Sequence, residues 1–163
     1  MSSPGRVRQA PLPQAFPNPT GTGRCQVHNE CEGVVECTAL VLAESCTEYE
    51  GRLTLFGVLD EIRPNGAGGT SFVVYTKFEG CEHVSDRERR ARILVTDEDG
   101  EVLMESAEYS VYLDGTEEPV TKVAAFDLPE GFETGEQLLW IEAVLDEETL
   151  SQTVVRIHDR YSV

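Results

Sequence analysis

The feature that most constrains this chain is a succession of short runs in which apolar and polar side chains alternate. Such alternation has a period of two, which is the period of an extended strand with one buried face. Eight runs of this kind follow one another from Val34 onward, and no amphipathic helical pattern interrupts them. The chain is therefore predicted to be all-β. The alternation is clearest in two series, Phe72, Val74, Thr76, Phe78 and Leu139, Ile141, Ala143, Leu145.

The runs are separated by segments rich in Gly, Pro, Asp and Asn, the residues that favour turns. The segment 97–101, DEDGE, predicts a tight hairpin in which Gly100 takes a positive φ. Short strands repeating every 10–15 residues or so predict an antiparallel β-sandwich, immunoglobulin-like, with about seven or eight strands. We assign this domain to residues 34–163, a length usual for one domain.

One run is apolar on both faces instead of one. It extends from Leu53 to Ile62 and includes Phe56 and Val58. Strands that are covered on both sides have this composition. The run is predicted to be a central strand, or a strand that the N-terminal segment partly covers.

The N-terminal segment has a different composition from the rest of the chain. Five of the eight prolines fall in its first nineteen residues, and its sizeable apolar side chains are Val7, Leu12 and Phe16. Proline fixes φ and lacks a backbone donor, so residues 1–33 are predicted to form an extended arm. Two alternatives remain open for the arm: a disordered leader, or a segment that becomes ordered on a partner.

Charge also distinguishes the beginning of the chain from the rest. The formal net charge is −17, yet residues 1–24 carry three arginines and no acid, which leaves −20 on the remainder. An acidic body repels phosphate backbones, so no nucleic-acid partner is expected. The local exception is DRERRAR, with Arg87, Arg89, Arg90 and Arg92. We interpret it as a solvated loop that runs into an edge strand.

Several stretches resemble a bacterial family of small all-β domains known as a domain of unknown function. These are the A-x-V-x-A pattern of the first strand, the G-R-L-x-L-F-G-V-x-D-x-I strand, the D-x-D-G hairpin and the final strand pair. The resemblance covers approximately residues 38–159. It implies the fold and implies no activity.

A cluster of sulfur and imidazole ligands lies where the arm meets the first strand. Cys25, His28 and Cys31 fall within seven residues, and Cys37 can complete a set of four. Four tetrahedral thiolate or imidazole ligands suit structural zinc, although C-x2-H-x2-C is not a usual spacing. The alternatives are a disulfide among these cysteines and free thiols with no role.

The two remaining cysteines form a second candidate thiol pair. If the first three strands run up, down and up, Cys46 and Cys81 lie at the same end of the sandwich. A disulfide would require Cα atoms within about 7 Å of each other.

No catalytic arrangement stands out. His28, His83 and His158 have no nucleophile-elbow, zincin or triad context. The glycines of the segment 64–70 lack the Lys-Ser/Thr ending of a phosphate loop. We expect a protein that is not an enzyme.

The expected function is that of a structural or interaction module, an accessory or decorating subunit of a larger assembly whose arm docks on a protein partner or on another copy of itself. The alternative is a small-molecule or carbohydrate binder that uses loops at one end of the sandwich. The sequence has no long apolar stretch and no standard secretory signal, so no membrane association is expected. A cytoplasmic location is predicted, or a virion-associated one for a phage-borne protein.

Overall fold

The computed structural model describes residues 34–64, 69–80, 87–113, 118–128 and 135–158, and these form ten β-strands. In chain order they are β1 (Val35–Tyr49), β2 (Arg52–Val58), β3 (Glu61–Ile62), β4 (Ser71–Gly80), β5 (Arg87–Thr96), β6 (Val102–Glu105), β7 (Tyr109–Leu113), β8 (Val120–Asp127), β9 (Gln137–Leu145) and β10 (Glu148–Ile157). The described part of the chain has no helix with the length and apolar character needed to cross a membrane. The predictions for residues 1–33 lie outside the described residues.

The strands form two sheets. The four-stranded sheet has the order β2-β1-β4-β8, and the six-stranded sheet has the order β3-β10-β9-β5, with β6 and β7 pairing along the remaining edge of β5. All described pairings are antiparallel except β3 with β10. Strands β4 and β8 lie in one sheet and β5, β9 and β10 in the other, which is the partition of an immunoglobulin-like sandwich. The predicted all-β sandwich is confirmed.

The strand count exceeds the predicted seven or eight because two apolar runs are each divided. In the first, the Leu59 amide still donates to the Leu42 carbonyl at 2.9 Å, and the chain then crosses to the other sheet as β3. In the second, Ser106 lies between β6 and β7, the two strands that pair with the same edge of β5. The Ser106 amide donates to the Ile93 carbonyl, and its Oγ accepts from the Ile93 amide, both at 2.9 Å. A side-chain hydroxyl thus replaces a backbone acceptor between β6 and β7.

The core lies between the sheets and consists of the inward residues of the alternating runs. Phe72 stacks on Phe126 with ring centroids 5.5 Å apart, and Phe78 is fully buried. Burial of each such side chain contributes about 1.5–3 kcal/mol. Thr76 is buried as well, and its hydroxyl is 2.9 Å from the Tyr109 hydroxyl on the opposite sheet. This hydrogen bond satisfies both polar groups and joins the sheets.

The arginine-rich segment forms a central strand, so the prediction of a loop running into an edge strand is wrong. β5 pairs with β9 on one side and with β6 and β7 on the other. Arg89 Nε donates to the Asp146 carboxylate at 2.8 Å, and Arg92 Nη2 donates to Glu147 at 2.9 Å. Both acids belong to the β9–β10 turn. The arginines therefore attach this turn to β5.

That turn takes an uncommon conformation for its residues. Asp146 and Glu147 have φ values of 46° and 71°, a pair of positive angles that a two-residue hairpin requires and that Gly adopts most easily. The Asp146 carboxylate offsets the strain, because it accepts the Arg90 amide at 2.9 Å in addition to the guanidinium of Arg89. The β1–β2 turn has the same geometry at Glu50 and Gly51.

The predicted hairpin at residues 97–101 is confirmed. Gly100 has a φ of 79°, and its amide donates to the Asp97 carbonyl at 3.1 Å. The Asp97 carboxylate accepts the amides of Asp99 and Glu101 at 3.0 and 2.8 Å. These two hydrogen bonds from the loop backbone to the Asp97 carboxylate hold the loop closed.

Candidate protein-binding face

The surface that stands out is the side of the four-stranded sheet that faces away from the core. Alternation sends Leu42 and Val74 inward, where both are buried. Their neighbours in sequence point outward and would ordinarily be polar in a sheet with one solvated face. Here most of them are apolar.

Strand register shows that these outward residues are contiguous. Opposed residues of paired strands share a face, so each row across the sheet can be read from the pairing. One row contains Val58, Ala43, Val73 and Ala125, and the next contains Val41, Tyr75 and Val123. Phe56 adjoins the first row on β2. We call this set the outer face: Val41, Ala43, Phe56, Val58, Val73, Tyr75, Val123 and Ala125.

The outer face is most exposed toward β2. Val58 is 65% exposed and Phe56 50% exposed, whereas Ala43 at the centre is fully buried. Polar pairs border the apolar rows. The Ser71 hydroxyl donates to Asp127 at 2.6 Å at one end, and the Lys77 ammonium lies 2.7 Å from the Glu79 carboxylate at the other. An apolar centre within a polar rim is the usual anatomy of a protein interface.

The rim carries a carboxylate at each end of strands β4 and β8. Lys77 and the Thr38 hydroxyl hydrogen-bond to Glu79 and lower the pKa of its carboxyl below the ordinary value. Glu79 therefore remains ionised at neutral pH. Asp127 supplies the second carboxylate at the opposite end of the same strands.

Strand β2 is an edge strand, so the prediction that its run is central is wrong. It pairs with β1, and no other described strand pairs with it. Its apolar residues are exposed because nothing in the described part of the chain covers them. Apart from Arg52 its sequence is uncharged, so it lacks the lysines and prolines that usually protect edge strands.

One position of β2 requires glycine. Gly57 has a φ of 62°, and a Cβ at this position would lie 2.6 Å from the Glu44 carboxylate on β1. Only glycine allows the Glu44 side chain to fold over β2 at this point.

Of the four candidate zinc ligands, Cys37 lies within the described residues. Cys25, His28 and Cys31 lie outside the described residues, so the zinc site stays a prediction. Cys37 lies on β1, packs against the core beside Phe78, and donates its thiol to the Ala39 carbonyl at 3.2 Å. Burial raises the pKa of this thiol above its ordinary value.

Metal-binding groups are also lacking elsewhere in what can be described. Within residues 34–64, 69–80, 87–113, 118–128 and 135–158, no group of three or more His, Cys, Asp or Glu residues could hold a metal ion.

The topology also bears on the second thiol pair. Cys46 is half-buried and forms no disulfide with a described cysteine, and Cys81 lies outside the described residues. The pairing assumed that the strand preceding Cys81 runs parallel to the first. In fact β4 is antiparallel to β1, and its last residue, Gly80, pairs with Val35. That premise is wrong, because the chain changes sheets at β3 before it returns as β4.

A second surface feature lies on the outward side of the six-stranded sheet. An open groove of about 340 Å³ is lined by Asp60, Glu61, Leu138, Val154 and Arg156. Trp140 pairs with Val154 and is half-buried beside it. Glu61 is engaged by His158 Nε2 at 2.7 Å and by Arg63 Nη2 at 2.6 Å, and these contacts lower the pKa of its carboxyl. The groove therefore offers one guanidinium, carboxylates and an apolar floor.

Sequence reasoning did not identify the outer face, although a signal for it exists. The segments 41–43, 72–75 and 123–126 are apolar at every position, including those between the inward residues. Such runs indicate strands that are apolar on both faces. Which of their faces meets the core follows only from the pairing.

Comparison with known proteins adds little to this description. No family model matches the chain, and no curated protein matches it. The resemblance to a domain of unknown function stays a prediction.

Solved structures show distant likeness. An immunoglobulin-like protein from Pseudomonas aeruginosa has 15% identity and a TM-score of 0.40 over 78% of this chain and 98% of that one. An alkylpurine DNA glycosylase from Pseudomonas fluorescens, bound to DNA containing an abasic site analog, has 8% identity and a TM-score of 0.47 over 76% of this chain. A glycosyl hydrolase family 2 member from Bacteroides cellulosilyticus has 11% identity and a TM-score of 0.39 over 57%. This chain spans only 30% of the glycosylase and 13% of the hydrolase, and we base no functional argument on any of the three.

Proposed function

We propose that this chain is a non-enzymatic interaction module, an accessory subunit that binds a protein partner through the outer face and the edge of β2, with the N-terminal arm as an additional docking element. The observation that carries the proposal is the exposed apolar surface of Phe56 and Val58, continuous with the outer face. Contiguous apolar patches with a polar rim mark interaction sites in soluble proteins.

The energetic argument favours association. Covering Phe56 and Val58 with a partner would contribute about 1–2 kcal/mol for each side chain. A partner strand can also add to the unpaired edge of β2, where backbone groups supply affinity and side chains supply specificity. Since residues 25–163 carry −20, the partner's matching surface should be neutral or basic.

A matched pair of double variants tests this function. The full chain carries an affinity tag and either Phe56→Ser with Val58→Ser, or Val102→Ser with Tyr112→Ser. Val102 and Tyr112 are 50% and 51% exposed and lie on β6 and β7, so the second variant loses similar exposed surface away from both candidate sites. We expect the first double variant to lose co-purifying partner by about tenfold or more, which equals about 1.4 kcal/mol.

Light scattering coupled to size-exclusion chromatography shows whether the partner is another copy. Deletion of residues 1–24 tests the contribution of the arm in the same assay. Unchanged association in both the face variant and the arm deletion would refute the proposed function.

A second candidate function is binding of a small polar ligand such as a carbohydrate in the groove beside Trp140. The observation in its favour is Arg156, which lines the groove and has no ion pair within the described residues. Trp140 is the single tryptophan of the chain, so its fluorescence reports on this face directly. Quenching by an oligosaccharide that Arg156→Gln abolishes would support this function, and unchanged emission across a glycan panel would reject it.

The cytoplasmic or virion-associated location stays a prediction. It has no bearing on either experiment, because both use the purified chain or a lysate of the cells that produce it.

A further inference from the structure

We propose that residues 1–24 bind in cis to the outer face of their own sandwich, where a protein partner must displace them. The inference rests on the proposed function, since both use the same apolar surface. It names the occupant of that surface in the free chain.

The point of attachment makes the contact accessible. The arm joins the body at Val34, next to the first residue of β1, which belongs to the sheet that carries the outer face. Val41 is six residues further along β1, and Phe56 lies opposite Ser45, which is ten residues along. At about 3.3 Å per residue these points are roughly 20 and 33 Å from Val35. Residues 25–33 can extend to about 30 Å, so residues 1–24 can reach the whole outer face.

Charge favours this occupant. Residues 1–24 carry three cations and no acid, and the rest of the chain carries −20. Carboxylates stand at both ends of the outer face: Asp127, which the Ser71 hydroxyl contacts, and Glu79, with which Lys77 already pairs. The arm is thus the basic segment in a chain whose body repels a second body.

The proline content indicates where the arm lies. Pro4, Pro11, Pro13, Pro17 and Pro19 have no backbone donor, so this segment is unsuited to continuous pairing with the edge of β2. An extended proline-rich segment loses little conformational entropy when it lies across an apolar surface. Val7, Leu12 and Phe16 are its apolar contacts. The arm therefore covers the face and leaves the edge of β2 for a partner strand.

Attachment to the same chain favours the contact in cis. A tethered segment has an effective concentration in the millimolar range when its linker can span the distance. Free chains in solution are normally far more dilute. A weak apolar and electrostatic contact is therefore occupied mainly by the chain's own arm.

Limited trypsin digestion of the full chain tests the proposal. Arg6, Arg8 and Arg24 provide cleavage sites in the arm. Mass spectrometry of the undigested chain and its fragments gives the rate of cleavage at each site. We compare the wild type, Phe56→Ser with Val58→Ser, and the control Val102→Ser with Tyr112→Ser, after urea unfolding has shown that the three proteins have similar midpoints. A synthetic peptide of residues 1–24 gives the rate for an unprotected arm.

The wild type and the control should be cut at Arg6 and Arg8 about tenfold more slowly than the peptide, as expected for a contact worth about 1.4 kcal/mol. The face variant should be cut at the peptide rate. Protection should not change over an about fiftyfold range of protein concentration, because the contact is intramolecular. Added salt should weaken it, after correction for the peptide's own rate.

Two results would overturn the inference: a wild-type arm cut as fast as the peptide, or protection that grows with protein concentration, which would indicate contact between copies. These results are separable from the proposed function. If the arm is unprotected while the face variant still loses its partner, only the inference in cis fails. If the arm is protected while the face variant keeps its partner, only the proposed function fails.

Discussion

Val58 and Ala43 lie directly opposite each other in the β1–β2 ladder, yet Val58 is 65% exposed and Ala43 is fully buried. The two side chains belong to one row of the outer face. Burial therefore rises within a single step from the edge of the sheet toward its middle. Within the described ranges, this apolar surface ends at β2, whose second edge pairs with no described strand.

Substitutions at the edge should cost little stability compared with substitutions in the core. Phe56→Ala should change the free energy of unfolding by less than about 1 kcal/mol, since half of the side chain already meets water. Phe78→Ala should cost about 3–5 kcal/mol, because it leaves a cavity between the sheets. Urea unfolding of both variants makes the comparison. Equal losses would show that Phe56 packs as a core residue.

The Asp146 carboxylate should be important for stability. It accepts the Arg90 amide and the Arg89 guanidinium, and Asp146→Ala would leave both groups without it in a half-buried site. We expect a loss of about 2 kcal/mol in the free energy of unfolding.

Glu147→Gly is the control for that experiment. It removes an exposed ion pair with Arg92 and also relieves a positive φ of 71°, so the net change should stay within about 1 kcal/mol. A larger loss in Glu147→Gly than in Asp146→Ala would contradict the assignment. Chemical denaturation at matched pH measures both.

Stability should depend on pH through Glu61. Hydrogen bonds from His158 and then Arg63 lower the pKa of its carboxyl below the ordinary 4.5 in the folded state. The stabilisation is therefore complete above 4.5 and is lost as the pH falls through the folded pKa. Glu61→Gln should weaken the fold near neutral pH and show a smaller loss on acidification.

Urea midpoints from about pH 7 to about pH 3 provide the measurement. Glu148→Gln, an exposed carboxylate on β10, serves as the control. Parallel pH profiles for the wild type and Glu61→Gln would show that this carboxyl has no part in the acid sensitivity.

Cys37 should react slowly with thiol reagents. Its thiol is half-buried, donates to the Ala39 carbonyl, and has a pKa raised mainly by burial, so little thiolate forms near neutral pH. Peptide mapping after iodoacetamide treatment should show Cys37 labelled at least about tenfold more slowly than a free cysteine peptide. Labelling at the peptide's rate would place this thiol in solvent.

The zinc prediction can be decided without enzyme activity. Native mass spectrometry of the full chain, with and without chelator, counts bound metal directly. If Cys25, His28 and Cys31 hold zinc, Cys31→Ser should abolish the metal-bound mass, as thiolate ligands dominate such sites. Cys37→Ser tests the fourth ligand: retained metal would assign that ligand elsewhere. An apo mass in the wild type would reject the site.

Local patterns were enough for the fold class. The alternation in β4 and β9 reflects one buried face, and the DEDGE hairpin depends on a φ that Gly100 adopts at little cost. Both effects act within a few residues, so they can be read without the partners. The partition of charge between residues 1–24 and the body is likewise present in the sequence itself.

Tertiary pairing decided the rest. An apolar run such as β2 fits a central strand and an exposed edge equally well, and only the ladder with β1 makes it an edge. From sequence alone, the arginine-rich segment of β5 has the composition of a solvated loop. In the structure its arginines bind Asp146 and Glu147, which lie more than fifty residues away in sequence. Sequence determined which segments extend and where they turn, since those are local preferences. Which strand neighbours which, and therefore which apolar residues remain for a partner, depends on contacts between distant parts of the chain.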